Sequence, residues 1–546
     1  NLDISMLVSS GRRVLSVTRA RLLSTVAVAS MEDGSLRAHV SRRGREAPAL
    51  LPRYLSDARG VETFDAVSRP DGVLQLSVAE NQMISDWLVP RIRSIAASPA
   101  SDAHGGGAGL FEQADIFYQQ THGTPQCRAA VAAHMERVLC GGSYPIDPDK
   151  LVVGAGCNAV LENLLFALAD AGEGVLVPRP YYAAFEFDLR ARAALEVLPV
   201  AIRRGGFEAS GYYPTADALE AAYASALSRG IAPRVLLLSS PNNPLGFCYP
   251  EEVLAECWDW AESKENLHVI SDEIYAGSVY RTPADGQPPW TSLATVAARR
   301  GRQLGPSAHL VWALSKDFAL SGLRVGALYT ENEAIRTPLQ KLNDLCQVGS
   351  PTQAIVSRLL TDQLDAATPR KLWCAGHGRG GRGGETGGGP HLGSLSEPSL
   401  SEPSRRCAAM EEANAARLRS RYDRLTAVLD QGGLRYLDAG AGLFLWIDLR
   451  PFLSYGDSGP PQRENSGSWA GAVGVEEALL PAREAEAERA LYLRLIHEFG
   501  LLLTPGASMR SEEPGLFRCV FSAATEEGFE VALQRFARLA AAPRAT

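Results

Sequence analysis

Through the middle of the chain, short apolar runs alternate with stretches whose apolar residues recur at helical spacing. Leu151-Val152-Val153 reads as a buried strand, and Val160 to Ala169 as a helix with Leu161, Leu164, Leu165 and Leu168 on its apolar positions. Val175-Leu176-Val177 reads as another short strand. Val235-Leu236-Leu237-Leu238 is apolar at every position, as in a strand covered on both faces. His268 to Ser271 and Leu310 to Leu314 repeat that theme. Strands separated by helical segments predict an α/β fold with a mostly parallel sheet between helix layers. After about residue 410 the pattern changes. An Arg-rich helix over Glu411–Leu429 leads to strands near Gly442–Leu449 and Leu516–Phe521, which predicts a smaller α+β domain.

Composition marks the breaks. Residues 376–393 hold ten glycines in eighteen positions, and Leu-Ser-Glu-Pro-Ser then occurs twice in tandem from Leu395. So few apolar side chains cannot offset the entropy of ordering, so 369–406 is expected to be a disordered insertion. Residues 457–475 read as a shorter loop. Residues 1–30 carry Arg12, Arg13, Arg19 and Arg21 against one acid, Asp3, a composition that fits an organelle transit peptide. The reading preferred is an unstructured extension over 1–39 with Met31 as the start, hence a cytoplasmic protein; a true presequence makes it organellar. The domains expected are then 40–85 joining the small domain, 86–350 as the large domain, and 351–368 with 407–542 as the small domain.

Charge and cysteine usage remove several function classes. The 546 residues hold 54 Lys plus Arg and 62 Asp plus Glu, a net charge of −8, which argues against nucleic-acid binding by bulk charge. No apolar run reaches membrane-spanning length, so no membrane partner is expected. The 9 cysteines form no CxxC pair and the 9 histidines no HExxH, so neither a disulfide framework nor a metal site is expected.

Four ordered segments carry the candidate chemistry: Ser240-Pro241-Asn242-Asn243-Pro244-Leu245-Gly246, Ser271-Asp272-Glu273-Ile274-Tyr275, Ser315-Lys316-Asp317 with Arg324, and Phe517-Arg518. Each of the first three follows an apolar strand, and open parallel sheets bind ligands beyond the carboxyl ends of their strands. Burial at a strand end depresses the pKa of Lys316, and a neutral amine forms a Schiff base with an aldehyde. A buried Asp272 needs a partner, which a pyridinium nitrogen supplies. Tyr275 lies near enough to reach the same ring, Asn243 offers an amide N–H to a ring oxygen, and Arg324 suits a phosphate. Taken singly, each has a plainer reading: a solvated lysine, a turn asparagine, a surface ion pair. Together they point to pyridoxal 5'-phosphate.

With these residues the sequence resembles the fold-type I class I/II aminotransferases, and more narrowly their 1-aminocyclopropane-1-carboxylate synthase branch. The family's Schiff-base lysine motif matches Ser315-Lys316-Asp317 through Gly322-Leu323-Arg324-Val325-Gly326, and its Asn-Pro-x-Gly turn matches Asn243 to Gly246. Asp272 and Tyr275 match its ring-nitrogen aspartate and ring-oxygen tyrosine, and Arg518 its substrate-carboxylate arginine. Pro70 to Leu76 with Ala79-Glu80-Asn81-Gln82, Pro180-Tyr181-Tyr182, and Ala441 to Trp446 with Asp448 to Pro451 are similar to further signatures of the synthase branch. The resemblance implies an aspartate-aminotransferase-like three-layer fold and a homodimer. It makes Lys316, Asp272 and Tyr275 catalytic, and adds Asn243, Arg324, Ser315, Tyr182, Cys157 and Asn158 as cofactor contacts. It assigns Arg518, Glu80 and Asn243 to the substrate. Gly154-Ala155-Gly156-Cys157-Asn158-Ala159 also mimics a dinucleotide fingerprint, but within the resemblance it turns backbone N–H groups toward the cofactor phosphate.

Two positions depart from the family. Ala313 stands where a phosphate-binding serine is usual, and Thr121 stands where plant synthases have the tyrosine of Tyr-His-Gly, with Tyr118 three residues earlier. One missing hydrogen bond to a charged group costs about 1.5–3 kcal/mol, so looser cofactor binding is expected. The reading preferred is transfer of an amino group from an α-amino acid to a 2-oxo acid through the Lys316 Schiff base. The alternative is cyclopropane formation from S-adenosylmethionine, which Glu80 favours and Thr121 disfavours. A non-catalytic binding protein of the same fold and a nicotinamide oxidoreductase are the more distant rivals.

Overall fold

The computed structural model describes residues 40–97, 116–202, 207–361, 403–455 and 480–544. The extension at 1–39, the insertion up to residue 402 and the loop at 457–475 lie outside them. One expectation needs correcting. The helix Pro403–Gln431 takes in 403–406, which the glycine-rich composition had placed in the disordered insertion. Composition changes before the helix does: from Arg405 to Gln431 the chain is rich in Arg, Ala, Leu and Glu, all good helix formers, with no Gly or Pro until Gly432.

Thirteen strands are described: β1 Leu74–Gln75, β2 Leu151–Gly154, β3 Gly174–Pro178, β4 Glu196–Val200, β5 Pro233–Ser239, β6 His268–Asp272, β7 Ala308–Ala313, β8 Gly326–Thr330, β9 Arg435–Tyr436, β10 Leu445–Asp448, β11 Leu501–Leu502, β12 Thr504–Pro505 and β13 Leu516–Cys519. Seven of them form one sheet in the order β2-β8-β7-β6-β5-β3-β4. β8 alone runs against the others, pairing antiparallel with β2 and β7. The sheet is therefore mostly parallel, as the alternation of runs predicts. All these elements belong to the compact unit Ala47–Thr546.

The continuous apolar runs follow from helices on both faces. In β5, Val235 and Leu237 pack with Leu161, Leu164 and Val177, while Leu236 and Leu238 pack with Leu254, Trp258 and Leu293. In β7, Val311 and Ala313 face the first set, and Leu310 and Trp312 the second. Period-two alternation with both faces apolar makes a two-sided core, each large side chain contributing about 1.5–3 kcal/mol. A second sheet, β12-β13-β10-β9, is antiparallel and packs with the helices Pro403–Gln431 and Ala482–His497, the first of which also carries the helix Glu526–Ala540. It supplies the smaller α+β part. Its strand β13 sets Arg518 opposite Trp446 of β10 and Thr504 of β12.

Candidate active site

The carboxyl ends of β6 and β7 are neighbours, and each delivers one ionisable group. Asp272 ends β6, flanked by Ser239 of β5 and Val311 of β7. Its carboxylate accepts from the Ile274 backbone N–H at 3.3 Å and from the Cys157 thiol at 3.9 Å. Burial pushes its pKa up to about 7, and those two donors pull against the rise. β7 ends at Ala313 and turns directly into the one-turn helix Leu314–Asp317, which carries Lys316. The Lys316 amine donates to the carbonyl of the buried Ala79. Burial pulls its pKa down to about 8; Glu80 opposes the fall, while Arg518 and Arg324 deepen it.

Asp317 fixes that turn. Its carboxylate accepts from the Gly277 N–H at 2.8 Å, the Ser278 hydroxyl at 2.8 Å and the Trp312 indole at 3.0 Å. Gly277 is required by closeness, since a Cβ there would lie 2.9 Å from the Asp317 carboxyl carbon. The lysine turn is thus tied to the loop that follows Asp272. Lysine and aspartate are held in register by a third group that does no chemistry itself.

Arg518 reaches the same place from the smaller sheet. Fully buried, it donates to Asn243 Oδ1 at 2.8 Å, the Ser77 carbonyl at 2.5 Å and Thr504 Oγ1 at 3.1 Å. Its Nε has no hydrogen-bond partner among the described residues. Asn243 in turn donates to the Tyr275 hydroxyl at 3.4 Å. Phe444 packs edge-on to the Tyr275 ring at 5.2 Å and lies 5.5 Å from the Arg518 guanidinium. Burial pushes the Tyr275 phenol up. Tyr182 belongs to the same pocket: burial raises its phenol, Asp188, Tyr54 and Tyr275 add to the rise, and Arg518 opposes it.

The anion end of the site is the start of the helix Cys157–Leu168. Its cap, Gly156, has φ 90° and offers no side chain to the first N–H groups. A Cβ on Gly156 would lie 2.4 Å from the Arg324 guanidinium, which is otherwise bonded to the Ser321 carbonyl. Gly326 of β8 is pressed against the same loop, 2.5 Å separating its would-be Cβ from the Gly156 carbonyl carbon. Open helix N–H groups beside an arginine make a site for a phosphate. Ser315 is buried one residue before the lysine. The Asn158 side chain turns away from this end and donates to Asp188 at 2.7 Å.

Lys316, Asp272, Tyr275, Asn243, Arg518, Cys157, Tyr182 and Glu80 are therefore brought together from segments far apart in sequence. Thr121 stands apart: its hydroxyl donates to the Gln340 carbonyl, and Tyr118 is 98% exposed. Sequence reading missed the Ala79 carbonyl, Phe444, Thr504, Asp188 and Ser321, whose hydroxyl lies 2.8 Å from both Glu80 oxygens. Ala79 and Phe444 lie within the synthase-branch signatures but with no role assigned to them, and the others have no local signal, because each acts through a partner on another element.

These residues fit pyridoxal phosphate. The orphaned Arg518 Nε suits a carboxylate, the Gly156 cradle beside Arg324 suits a phosphate, and a buried acid stands opposite a lysine of lowered pKa. Comparison with known proteins agrees. The pattern of the family described as aminotransferase class I and II matches residues 107–372 and 394–536. 1-Aminocyclopropane-1-carboxylate synthase 3 of Oryza sativa subsp. japonica is 32% identical over 484 residues, covering 87% of this chain and 88% of its own. 1-Aminocyclopropane-1-carboxylate synthase 11 of Arabidopsis thaliana is 30% identical over 470 residues, covering 85% and 83%. Among solved structures, aspartate aminotransferase from Thermus thermophilus with maleate superposes with a TM-score of 0.60 at 22% identity, covering 92% of this chain and 100% of that one. The aromatic aminotransferase from Pyrococcus horikoshii gives 0.59 at 18% identity, covering 86% and 95%. By sequence, fold and the placement of lysine, aspartate and arginine, the chain belongs to the class I and II aminotransferases, enzymes that depend on pyridoxal 5'-phosphate.

Proposed function

We propose that the chain transfers the amino group of an α-amino acid to a 2-oxo acid. The observation that carries this reading is the pairing of Arg518, with an unspent buried N–H, and the near-neutral Lys316 amine in one pocket. Arg518 binds the α-carboxylate, and its other bonds to Asn243, Ser77 and Thr504 set the angle of the guanidinium. Lys316 takes the proton from Cα and returns it, work that suits an amine whose pKa is about 8. Pyridoxal phosphate, when bound, supplies the aldehyde that captures amines and the ring that takes up the electron pair left at Cα. Asp272, buried at the end of β6, would hold a proton on the ring nitrogen. Phe444 and Tyr182 cover the pocket with aromatic surface and exclude water.

Thr121, standing where the plant synthases have a tyrosine, weighs against the synthase reaction. A threonine has no phenol to offer, and its hydroxyl donates to the Gln340 carbonyl. Glu80, and the identity with the plant synthases, favour the second reading, cyclopropane formation from S-adenosylmethionine. The experiment is to supply the purified protein with amino-acid and 2-oxo-acid pairs, and separately with S-adenosylmethionine. New amino-acid and oxo-acid products are expected; methylthioadenosine release without them would establish the second reading. The same proposal takes a homodimer as the working form, supported by the apolar surface of Ile116, Phe117 and Tyr118, which stand 72%, 61% and 98% exposed. Light scattering on the eluted protein tests this, and a monomer with full activity would contradict it.

A further inference from the structure

Glu80 is held at both ends by serine hydroxyls. Ser522 donates to its backbone carbonyl at 2.6 Å, and Ser321 donates to its carboxylate, 2.8 Å from either oxygen. Ser321 sits on the turn between Lys316 and Arg324, so the loop that presents the lysine also grips the glutamate. The residue before Glu80 is Ala79, whose carbonyl receives the Lys316 amine. Glu80 is the opposite charge that acts most on the Lys316 amine, yet it makes no ion pair among the described residues, and Lys316 donates to a carbonyl instead. The charged and titratable groups that face the amine are Glu80 and Cys157, which raise its proton affinity, and Arg518 and Arg324, which lower it.

We propose that Ser321 is a positioning residue that holds the Glu80 carboxylate off the Lys316 amine, so that the lysine stays free to act as a neutral nucleophile and base. Without the hydroxyl, the glutamate side chain loses its restraint and is free to swing to the Lys316 amine, on which it already acts. An opposite charge brought into contact favours the protonated amine and withdraws it from chemistry. The inference rests on Lys316 being the residue that captures the cofactor, not on which amino acid is the substrate.

The test uses the full-length, cofactor-free protein. The rate of capture of added pyridoxal phosphate is followed by its absorbance from pH 6 to 10, which gives the apparent pKa of the capturing amine without any turnover. Ser321→Ala is expected to move that pKa up by about one unit or more, as a contact with an opposite charge does. Glu80→Gln is expected to move it down. Ser321→Thr, which keeps the hydroxyl, is expected to restore the wild-type profile. In the Glu80→Gln background, Ser321→Ala is expected to change nothing, because it acts only through the glutamate. An unchanged or lowered pKa in Ser321→Ala, or a rise that persists in the Glu80→Gln background, overturns the proposal. Failure of the transamination reading leaves this titration unaffected, whereas absence of capture at Lys316 removes the basis of both.

Discussion

The two ends of the seven-stranded sheet treat buried polar groups in opposite ways. At the amino ends of β6 and β7, His268 and His309 stack with ring centroids 5.3 Å apart, and a hydrogen bond joins them at 3.1 Å. The other ring nitrogen of His309 meets Thr330 at 2.9 Å, and burial drives its pKa down to about 3. That network closes on itself. At the carboxyl ends, Asp272 has one backbone N–H and one thiol and Lys316 a carbonyl, and the Nε of Arg518, which reaches there from β13, has no hydrogen-bond partner among the described residues. Buried polar groups are ordinarily satisfied, so groups left short of partners mark where a ligand completes the set. The same strands thus serve stability at one end and chemistry at the other.

Removing the amine should have the largest effect. Lys316→Ala is expected to lower turnover on the order of 10⁴-fold, measured as initial rate with saturating substrates, while the fold melts normally. Asp272→Asn comes next, with a loss of about 10²–10³-fold in kcat from weaker stabilisation of charge on the ring. Its effect on stability has the opposite sign. The ordinary aspartate pKa is about 3.9 and the folded value about 7. Below pH 4 both folded and unfolded chains bind the proton, so the carboxyl costs nothing. Between about pH 4 and pH 7 the unfolded chain gives up the proton while the folded chain keeps it, so stability falls across that window, and the carboxyl's contribution is fully lost once the folded group ionises above 7. Cofactor-free Asp272→Asn should therefore melt higher than wild type at pH 8 and equally at pH 4 in calorimetry. A mutant that melted lower at pH 8 would show that the carboxylate is satisfied without a ligand, and would erase the contrast between the two ends.

Much of that contrast was legible in the sequence. Apolar runs locate strand ends, and a polar residue just past a run, as at Asp272, Asn243 and Lys316, marks the ligand-binding edge. Pairings between distant segments were not legible. The contact of Arg518 with Asn243 joins residues 275 apart, and that of Lys316 with Ala79 residues 237 apart, so their distances are set by topology and not by local spacing. The reversed direction of β8 was hidden because Gly326–Thr330 reads like any other buried strand. The start of the helix at Pro403 was hidden by the neighbouring glycine-rich composition. The bond of the Asn158 side-chain amide to Asp188, 30 residues on, was equally hidden, although the helix start that exposes the Asn158 backbone N–H was legible.

Smaller changes sharpen the comparison. Arg518→Ala is expected to cost about 2–5 kcal/mol of substrate binding, seen mainly in KM, because the clamp holds the carboxylate in ground and transition states alike. At the closed end, His309→Phe should cost about 1–3 kcal/mol of stability in urea titration, by leaving the His268 and Thr330 groups unpaired, with kcat unchanged. A fall in kcat would mean the amino ends take part in chemistry after all.

The central claim is that Lys316 captures pyridoxal phosphate at the carboxyl edge of the sheet. Incubation of the full-length protein with the cofactor, reduction with borohydride and peptide mass spectrometry tests it directly. A phosphopyridoxyl group on Lys316, absent from Lys316→Ala, is the predicted result; an unlabelled Lys316 peptide, or a label on another lysine alone, would contradict the account.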